Sequence, residues 1–186
     1  MKKTETVLTI LFLLSIAYKM LHWVGAGILI VISSSTLSIL YFLFSWYFFK
    51  DQLTKKQNLA ISITTGLVLS IALTGILFKL QIWSGTKGIL TIGTFGILIM
   101  SLIVFIKRNK QVEMIPYYTK MLSRIILIGC ITIVLYFLPT KQLIKIYYRD
   151  DSEYVKLFIM AHENPDNSEY QKAFQDYLDK KNSRQE

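Results

Sequence analysis

The chain has 186 residues, of which 53% are hydrophobic and only 18% are charged, and its mean hydropathy is +0.43. Soluble domains carry about a quarter charged residues, so this composition indicates an integral membrane protein. The net charge of +9 would suggest nucleic acid in a soluble protein. Here the basic residues lie between apolar blocks, where they orient loops, so we expect the lipid bilayer and no nucleic acid as partner.

Five apolar blocks approach the roughly 20 residues that a helix needs to cross about 30 Å of hydrocarbon. They predict an all-α, polytopic membrane helical bundle of about five transmembrane helices: a duplicated helical hairpin plus one span, followed by a short C-terminal helical hairpin. The predicted spans are 4–20, 26–49, 59–78, 88–106 and 121–138. The predicted domains are a first hairpin (1–49), a second hairpin (50–106), a cytoplasmic loop with the fifth span (107–139) and a soluble helical tail (140–186).

The first block also has the features of a secretory signal, namely the basic start MKK, a short apolar core and the small residues Ser15 and Ala17 at a possible cleavage site. We favour a retained helix, because the matching segment 76–78 ends a full span. Cleavage would not change the orientation of the other spans.

The orientation follows from basic residues near the ends of the spans, which accumulate on the cytoplasmic side. We expect a bacterial inner-membrane protein with a cytoplasmic N-terminus and, after five spans, a periplasmic tail. Nine basic residues then lie inside, Lys2, Lys3, Lys50, Lys55, Lys56, Lys107, Arg108, Lys110 and Lys120, and three outside, Lys19, Lys79 and Lys87.

The fifth span is the least secure element, because Arg124 would have to extend to the interface and because three basic residues follow the span. If this block were only interfacial, the tail would be cytoplasmic.

A repeat becomes visible when the sequence is shifted by 60 residues: IAYKMLHWVG (16–25) then aligns with ILFKLQIWSG (76–85). Tryptophan prefers the headgroup level, lysine reaches water or phosphate, and glycine lets the backbone reverse. The pattern therefore predicts two equivalent outer turns in hairpins of the same orientation. Their residues are Lys19, His22, Trp23 and Gly25 in the first turn, and Lys79, Trp83 and Gly85 in the second.

His22 has no counterpart in the second copy, where Ile82 stands. A catalytic histidine would be expected in both copies, so we favour an interfacial side chain with a hydrogen bond. A proton-linked or ligand-binding role is the alternative.

Polar residues within the spans are mostly hydroxyls, and the central parts of the spans hold no Asp, Glu, Lys, Arg or His, which disfavours ion transport. One cluster stands in the second span, where it can serve helix packing or line a path for a polar solute. It consists of Ser33, Ser34, Ser35 and Thr36. We find no catalytic or metal-binding motif, and the single Cys130 can form no intrachain disulfide, so we expect neither an enzyme nor a cofactor.

The tail has an ordinary soluble pattern after Pro139. Asp150 and Asp151 favour a helix start, NPDNS (164–168) interrupts the chain, and a second amphipathic helix follows. Such a pair is too small to hold a core alone.

YKMLHWVGAG (18–27), followed by a long span, resembles the N-terminal membrane hairpin of the GldL family of gliding-motility proteins. The resemblance covers about 7–49 and, more weakly, 66–106. The positions that match are Tyr18, Lys19, His22, Trp23, Gly25 and Gly27, and in the second copy Phe78, Lys79, Trp83, Gly85 and Gly88.

Members of that family form, with a single-span partner, the inner-membrane motor of gliding and type 9 secretion. Their second span carries a glutamate implicated in proton coupling, where this chain has Leu37 or Thr36. The resemblance therefore implies a related hairpin architecture without the proton-driven role.

We expect a non-enzymatic scaffold or accessory subunit of a membrane complex, whose partners are other membrane proteins or further copies of the chain. The alternative is a small transporter or channel for a polar solute, using the cluster at Ser33 to Thr36 together with His22. An integral-membrane enzyme is the third hypothesis.

Overall fold

The computed structural model of the chain describes residues 2–49 and 57–183, and in these ranges every regular element is a helix. The chain divides into two compact units between Leu138 and Pro139. The first unit contains α1 (Lys2–Met20), α2 (Ala26–Phe49), α3 (Leu59–Gln81), α4 (Thr86–Lys110), a short 3-10 turn (Val112–Met114) and α5 (Ile115–Phe137). The second contains α6 (Thr140–Tyr147), α7 (Ser152–Glu163) and α8 (Ser168–Asn182).

Four helical segments of the described chain are long and apolar enough to cross a membrane. They correspond to the second to fifth predicted spans and lie at Ala26–Phe49, Leu59–Gln81, Thr86–Lys110 and Val112–Phe137. The first predicted span is also helical, as α1, but it carries charged residues at both ends and is not among the four. Length and composition therefore support four spans, one fewer than the sequence predicted.

The last of these helices begins at Ile115, six residues earlier than the predicted span, which started at 121. Pro116 is favourable in the first turn of this helix, because an amide hydrogen at that position would have no acceptor within the helix. Tyr117 is buried, and its hydroxyl lies 2.7 Å from the Ser62 hydroxyl of α3. Packing of aromatic side chains against α3 thus extends α5 beyond its apolar block.

The third helix, α3, is the centre of the first unit and packs against α2, α4 and α5. One face of α3 is fully buried, including Leu69, Leu73 and Ile76. The outward faces of the surrounding helices are also apolar, with exposed side chains such as Phe42 and Phe95. Soluble monomers rarely expose apolar surface on this scale, whereas lipid hydrocarbon would cover it.

Small residues allow the helices to approach closely around α3. A Cβ atom built on Gly66 would overlap the Ser45 Cβ and lie 2.6 Å from the Tyr41 carbonyl oxygen of α2. On the other side of α3, a Cβ on Gly93 of α4 would lie 2.8 Å from the Ala72 Cα. The helix contacts at both positions therefore require glycine.

The second unit is organised around Asp151, the N-cap residue of α7, as the sequence predicted for this acidic stretch. Its carboxylate accepts hydrogen bonds from the Tyr154 amide at 2.9 Å, the Tyr177 hydroxyl at 2.7 Å and the Lys181 ammonium at 2.6 Å. The ring of Phe174 on α8 packs edge-on against Tyr154 of α7, with centroids 5.5 Å apart. The carboxylate and the rings together hold α7 against α8.

The hydrogen bond from Lys181 is the largest influence on the pKa of the Asp151 carboxyl. This bond and the bonds from Tyr177 and the Tyr154 amide lower the pKa by more than burial raises it. Together these contacts lower the carboxyl pKa from 3.8 to about 2. The carboxylate is thus favoured in the folded tail.

We expect Gly66→Ala to lower the free energy of unfolding by roughly 1–3 kcal/mol, because the added methyl group overpacks the contact with α2. Thermal unfolding of the purified protein in detergent measures this. Gly88→Ala is the matched control, because nothing lies within 4 Å of a Cβ built there. The close-contact interpretation fails if the two variants unfold alike.

We expect α7 of the full chain to lose protection from hydrogen exchange as the pH falls from 3.8 towards 2. The folded pKa of Asp151 lies below the unfolded value, so its contribution is complete above pH 3.8 and lost on protonation. Asp151→Asn keeps a cap residue but removes the charge, so its loss of protection in this range should be smaller. An equal response in both proteins would exclude Asp151 as the titrating group.

Candidate functional site

A buried ion pair joins three helices of the first unit. Glu5 of α1 is only 4% exposed, and its carboxylate receives two hydrogen bonds from the Arg124 guanidinium of α5. The bond from Nη2 to Oε2 is 2.7 Å long, and Nε bonds to Oε1. The Tyr41 hydroxyl of α2 donates to the same Oε1 at 2.8 Å. Both carboxylate oxygens therefore have charge-assisted bonds, which are among the strongest in proteins.

Further contacts fix the guanidinium. It lies over the Phe49 ring, 5.3 Å from the centroid, and its Nη1 donates to the Lys120 carbonyl oxygen at 3.1 Å. The Arg124 side chain is only 20% exposed. The sequence predicted that Arg124 extends to the interface; the structure shows its guanidinium paired with a carboxylate from the first turn of α1.

Two of the three groups stand away from their helix ends, whereas Glu5 belongs to the first turn of α1. Arg124 stands nine residues after the start of α5, and Tyr41 stands eight residues before the end of α2. At 1.5 Å per residue, these positions are each roughly 12–14 Å from the helix end. A charge as buried as that of Glu5 needs its partner, because a buried ion without one is strongly destabilising.

No motif in the sequence predicts this cluster, but the distribution of charged residues contains a signal for it. Glu5 is the single acidic residue of the first 49, and Arg124 is the single charged residue of 121–138. The predicted topology places the beginning of the first span and the beginning of the fifth on the same side of the membrane. Two lone opposite charges in such positions are candidates for a pair.

The two turns identified from the repeat share their backbone geometry. His22 and Ile82 both adopt a left-handed conformation, with φ of 61° and 59°, and Gly25 and Gly85 follow with φ of 85° and 81°. The left-handed conformation is unusual for a β-branched residue such as Ile82. The turn therefore imposes this backbone whether the side chain is histidine or isoleucine.

Aromatic contacts also recur. The Trp23 amide donates to the Tyr18 carbonyl oxygen and the Trp83 amide to the Phe78 carbonyl oxygen, each at 3.0 Å. In both turns the indole packs edge-on against the ring five residues earlier, with centroids 4.6 Å and 5.2 Å apart. Trp23 and Trp83 nevertheless remain 62% and 45% exposed. The two indoles thus stabilise their turns and still face the surroundings.

The two equivalent lysines differ in burial. Lys79 is only 7% exposed, whereas Lys19 is half-buried, with its Nζ 3.6 Å from the position of a Cβ on Gly27. The Gln81 side-chain amide donates to the Gly27 carbonyl oxygen at 2.7 Å. The end of α1, the beginning of α2 and the end of α3 therefore meet at Gly27.

The hydroxyl cluster of α2 divides between the interior and the surface. Ser33 and Ser34 are buried, Ser35 is half-buried and Thr36 is exposed. The Ser33 hydroxyl lies 3.4 Å from the Ser15 hydroxyl of α1, and the Ser34 hydroxyl donates to the Leu73 carbonyl oxygen of α3 at 3.2 Å. The buried half of the cluster thus bridges α2 to its two neighbours.

Other groups considered for chemistry are dispersed. Within 2–49 and 57–183, no three His, Cys, Asp or Glu side chains are arranged to hold a metal ion. Cys130 is exposed on α5, and His162 stacks on Phe158 in the second unit. The ion pair and the two turns are therefore the features that we consider further as candidate sites.

These features define an all-helical protein whose four long apolar helices indicate a membrane protein. Comparisons with protein-family models, curated proteins and solved structures give no match.

We expect Glu5→Gln and Arg124→Gln each to lower the free energy of unfolding by roughly 3–5 kcal/mol, because each leaves one buried charge without its partner. The double variant should lose less than the sum, since both charges are gone. Unfolding of all four proteins in detergent measures this coupling.

The exposed pair between Lys141 and Glu163 supplies the control, because its side chains are 53% and 42% exposed. Glu163→Gln should change stability by less than about 1 kcal/mol. Strictly additive losses from the two variants of the buried pair would contradict the coupling.

Proposed function

We propose that the chain is an integral membrane protein with five transmembrane helices, α1 being the first. The contacts at the two ends of α1 support this. Glu5, at its beginning, meets Tyr41 in the second half of α2, whereas Lys19, at its end, approaches Gly27 in the first turn of α2. Over its 19 residues α1 thus runs antiparallel to α2 for roughly 28 Å, close to the thickness of the hydrocarbon.

The charge distribution supports an orientation with the N-terminus in the cytoplasm of a bacterium and the second unit outside its inner membrane. The pairing of Glu5 with Arg124 offsets the charge that Glu5 brings to α1, the one predicted span that composition alone does not support. Arg124 then no longer argues against a fifth span.

Single-cysteine labelling tests this topology, starting from a Cys130→Ala background. In intact spheroplasts, an impermeant maleimide should label Ser84→Cys and Asn164→Cys, whereas Lys3→Cys and Asn109→Cys should react only after permeabilisation. Labelling of Lys3→Cys from outside would show that α1 does not cross. Labelling of Asn164→Cys only from inside would show that α5 does not cross.

We propose further that the protein is a non-enzymatic scaffold or accessory subunit of a membrane complex. The observation that carries this is the use of polar groups inside the first unit to bind its own helices together. The Glu5 carboxylate, the Ser34 hydroxyl and the Ser38 hydroxyl, which lies 2.8 Å from that of Ser70, all bond between helices. Such bonds stabilise a fixed shape, as a structural subunit requires.

The resemblance of 18–27 to the GldL hairpin adds a candidate setting for this role. An accessory subunit of a gliding or type 9 secretion apparatus would keep the hairpin architecture without the membrane glutamate of the motor. A carboxylate does occur in the bundle, at Glu5, but it is bonded to Arg124 and stands on the first helix.

Crosslinking in native membranes, followed by purification in mild detergent and mass measurement, tests the scaffold proposal. A defined complex with other membrane proteins, or a defined oligomer, is expected. Recovery of a monomer alone, from membranes in which a known complex is captured in parallel, would refute it.

The alternative, a transporter or channel for a polar solute, is favoured by the hydroxyls of Ser35 and Thr36, which are not fully buried within the bundle. Flux of sugars and amino acids into proteoliposomes tests it, with Ser35→Ala, Thr36→Ala and His22→Ala as variants. Flux that these substitutions abolish would support transport, and the absence of flux would exclude it for those solutes.

A further inference from the structure

The two outer turns share a backbone but differ in the chemistry of their tips. In the first turn Val24 is 97% exposed, and Leu21 and Ile28 beside it are 72% and 67% exposed. The second turn has Ser84 at the position of Val24. Because Ser84 stands in a turn with the same backbone, the fold does not require an apolar side chain at position 24. The apolar tip of the first turn therefore indicates contact with an apolar environment or ligand.

A pocket with a mainly apolar lining opens beside this tip, and its volume is about 230 Å³. It is formed by Tyr18, Trp23, Val24, Gly25, Ala26 and Leu29. Two of these positions carry hydroxyls in the second copy, where Ser84 replaces Val24 and Thr86 replaces Ala26. Pockets that enclose drug-sized molecules measure about 300–1,000 Å³, so this smaller pocket suits a narrow apolar group such as part of a hydrocarbon chain.

Exposed apolar side chains continue from the pocket along one side of the hairpin formed by α1 and α2. The hydroxyls of Ser15 and Ser33 lie 3.4 Å apart, so the residues that precede them, Leu14 and Ile32, stand at the same level of the two antiparallel helices. Leu14 is 45% exposed and Ile32 is 59% exposed. Each stands three or four residues from a lining residue of its own helix, which is the spacing of neighbours on one helix face.

These side chains extend over the depth of one leaflet. Val7 is 56% exposed and stands seven residues before Leu14, on the same face of α1. From Tyr18 to Val7 the helix rises roughly 16 Å at 1.5 Å per residue. Half the hydrocarbon thickness is about 15 Å. An acyl chain that enters the pocket at headgroup level would therefore follow Leu14, Ile32 and Val7 to the middle of the bilayer.

We propose that the first outer turn binds one acyl chain of a phospholipid from the leaflet on its side of the membrane. The pocket holds the upper part of the chain, and Leu14, Ile32 and Val7 contact the rest. The inference rests on the proposal that the protein crosses the membrane. A lipid chain fits better than a protein side chain, because the apolar contacts run for the depth of a leaflet and begin beside Trp23, at the level that tryptophan favours.

Photocrosslinking of the full chain in proteoliposomes tests the site. The probe is a phosphatidylcholine with a diazirine near the carboxyl end of one acyl chain, added in traces to unmodified phosphatidylcholine. Peptide mass spectrometry should find more label in 18–29 than in the equivalent segment 78–89. Leu29→Trp, which places an indole in the pocket, should lower the labelling of 18–29 by at least roughly fourfold, the factor for one displaced methylene group. A diazirine at the methyl end of the chain should instead label 7–14.

Ile89→Trp is the matched control, because Ile89 is half-buried like Leu29 and stands at the equivalent position of the second hairpin. It should leave the labelling of 18–29 unchanged. Equal labelling of 18–29 and 78–89 overturns the proposal, since lipids would then contact both turns alike. A loss in Ile89→Trp as large as that in Leu29→Trp overturns it as well. Displacement of the probe by equimolar palmitate would show a site for a free fatty acid and overturn the phospholipid assignment.

Val24→Ser copies the residue of the second turn, so this variant tests the site even if Leu29→Trp fails to fold. It should also lower the labelling of 18–29, and unchanged labelling overturns the proposal. Alkaline carbonate extraction of membranes separates the two proposals. A chain that resists extraction but shows no preferential label at the first turn lacks this lipid site and still crosses the membrane. A chain released by carbonate refutes the membrane crossing itself.

Discussion

The neutralisation of charge between apolar helices is the constraint on which the first unit depends. Glu5 and Arg124 would each oppose the burial of its own helix, yet together they hold α1 and α5 against α2. Tyr41 satisfies a remaining lone pair of the carboxylate, and Phe49 covers the guanidinium. Because each charge requires the other, the three helices come together as one unit, and the same contact supports our proposal that α1 is a span.

Close packing around α3 is the second requirement of this arrangement. Lipid-facing helices gain little from the hydrophobic effect when they associate, so contact area and hydrogen bonds between helices matter more. Gly66 and Gly93 let α2 and α4 approach the α3 backbone, and Ser34 and Ser38 bond across the contact with α2. A bundle stabilised in this way has a fixed shape, which is the property that a scaffold or accessory subunit needs.

Much of the secondary structure could be predicted from the sequence, because a helix that crosses hydrocarbon needs a long apolar segment. Such segments can be recognised in the sequence. The second to fifth predicted spans all correspond to long helices, although aromatic packing at Tyr117 starts α5 earlier than its apolar block. The repeat with a period of 60 residues predicted two equivalent turns, and these turns have the same backbone conformation. The sequence could predict them because the spacing of glycine and aromatic residues is a local property.

The sequence by itself determined where the long helices and the turns lie, because apolar length and turn chemistry depend on residues close together in the chain. Only the tertiary structure decided which charged side chains are buried and which residues they pair with. Arg124 is paired with a carboxylate 119 positions away, and Lys79 is buried where composition placed it only at an interface. Burial and pairing depend on which helices become neighbours, and that choice is made by packing around α3.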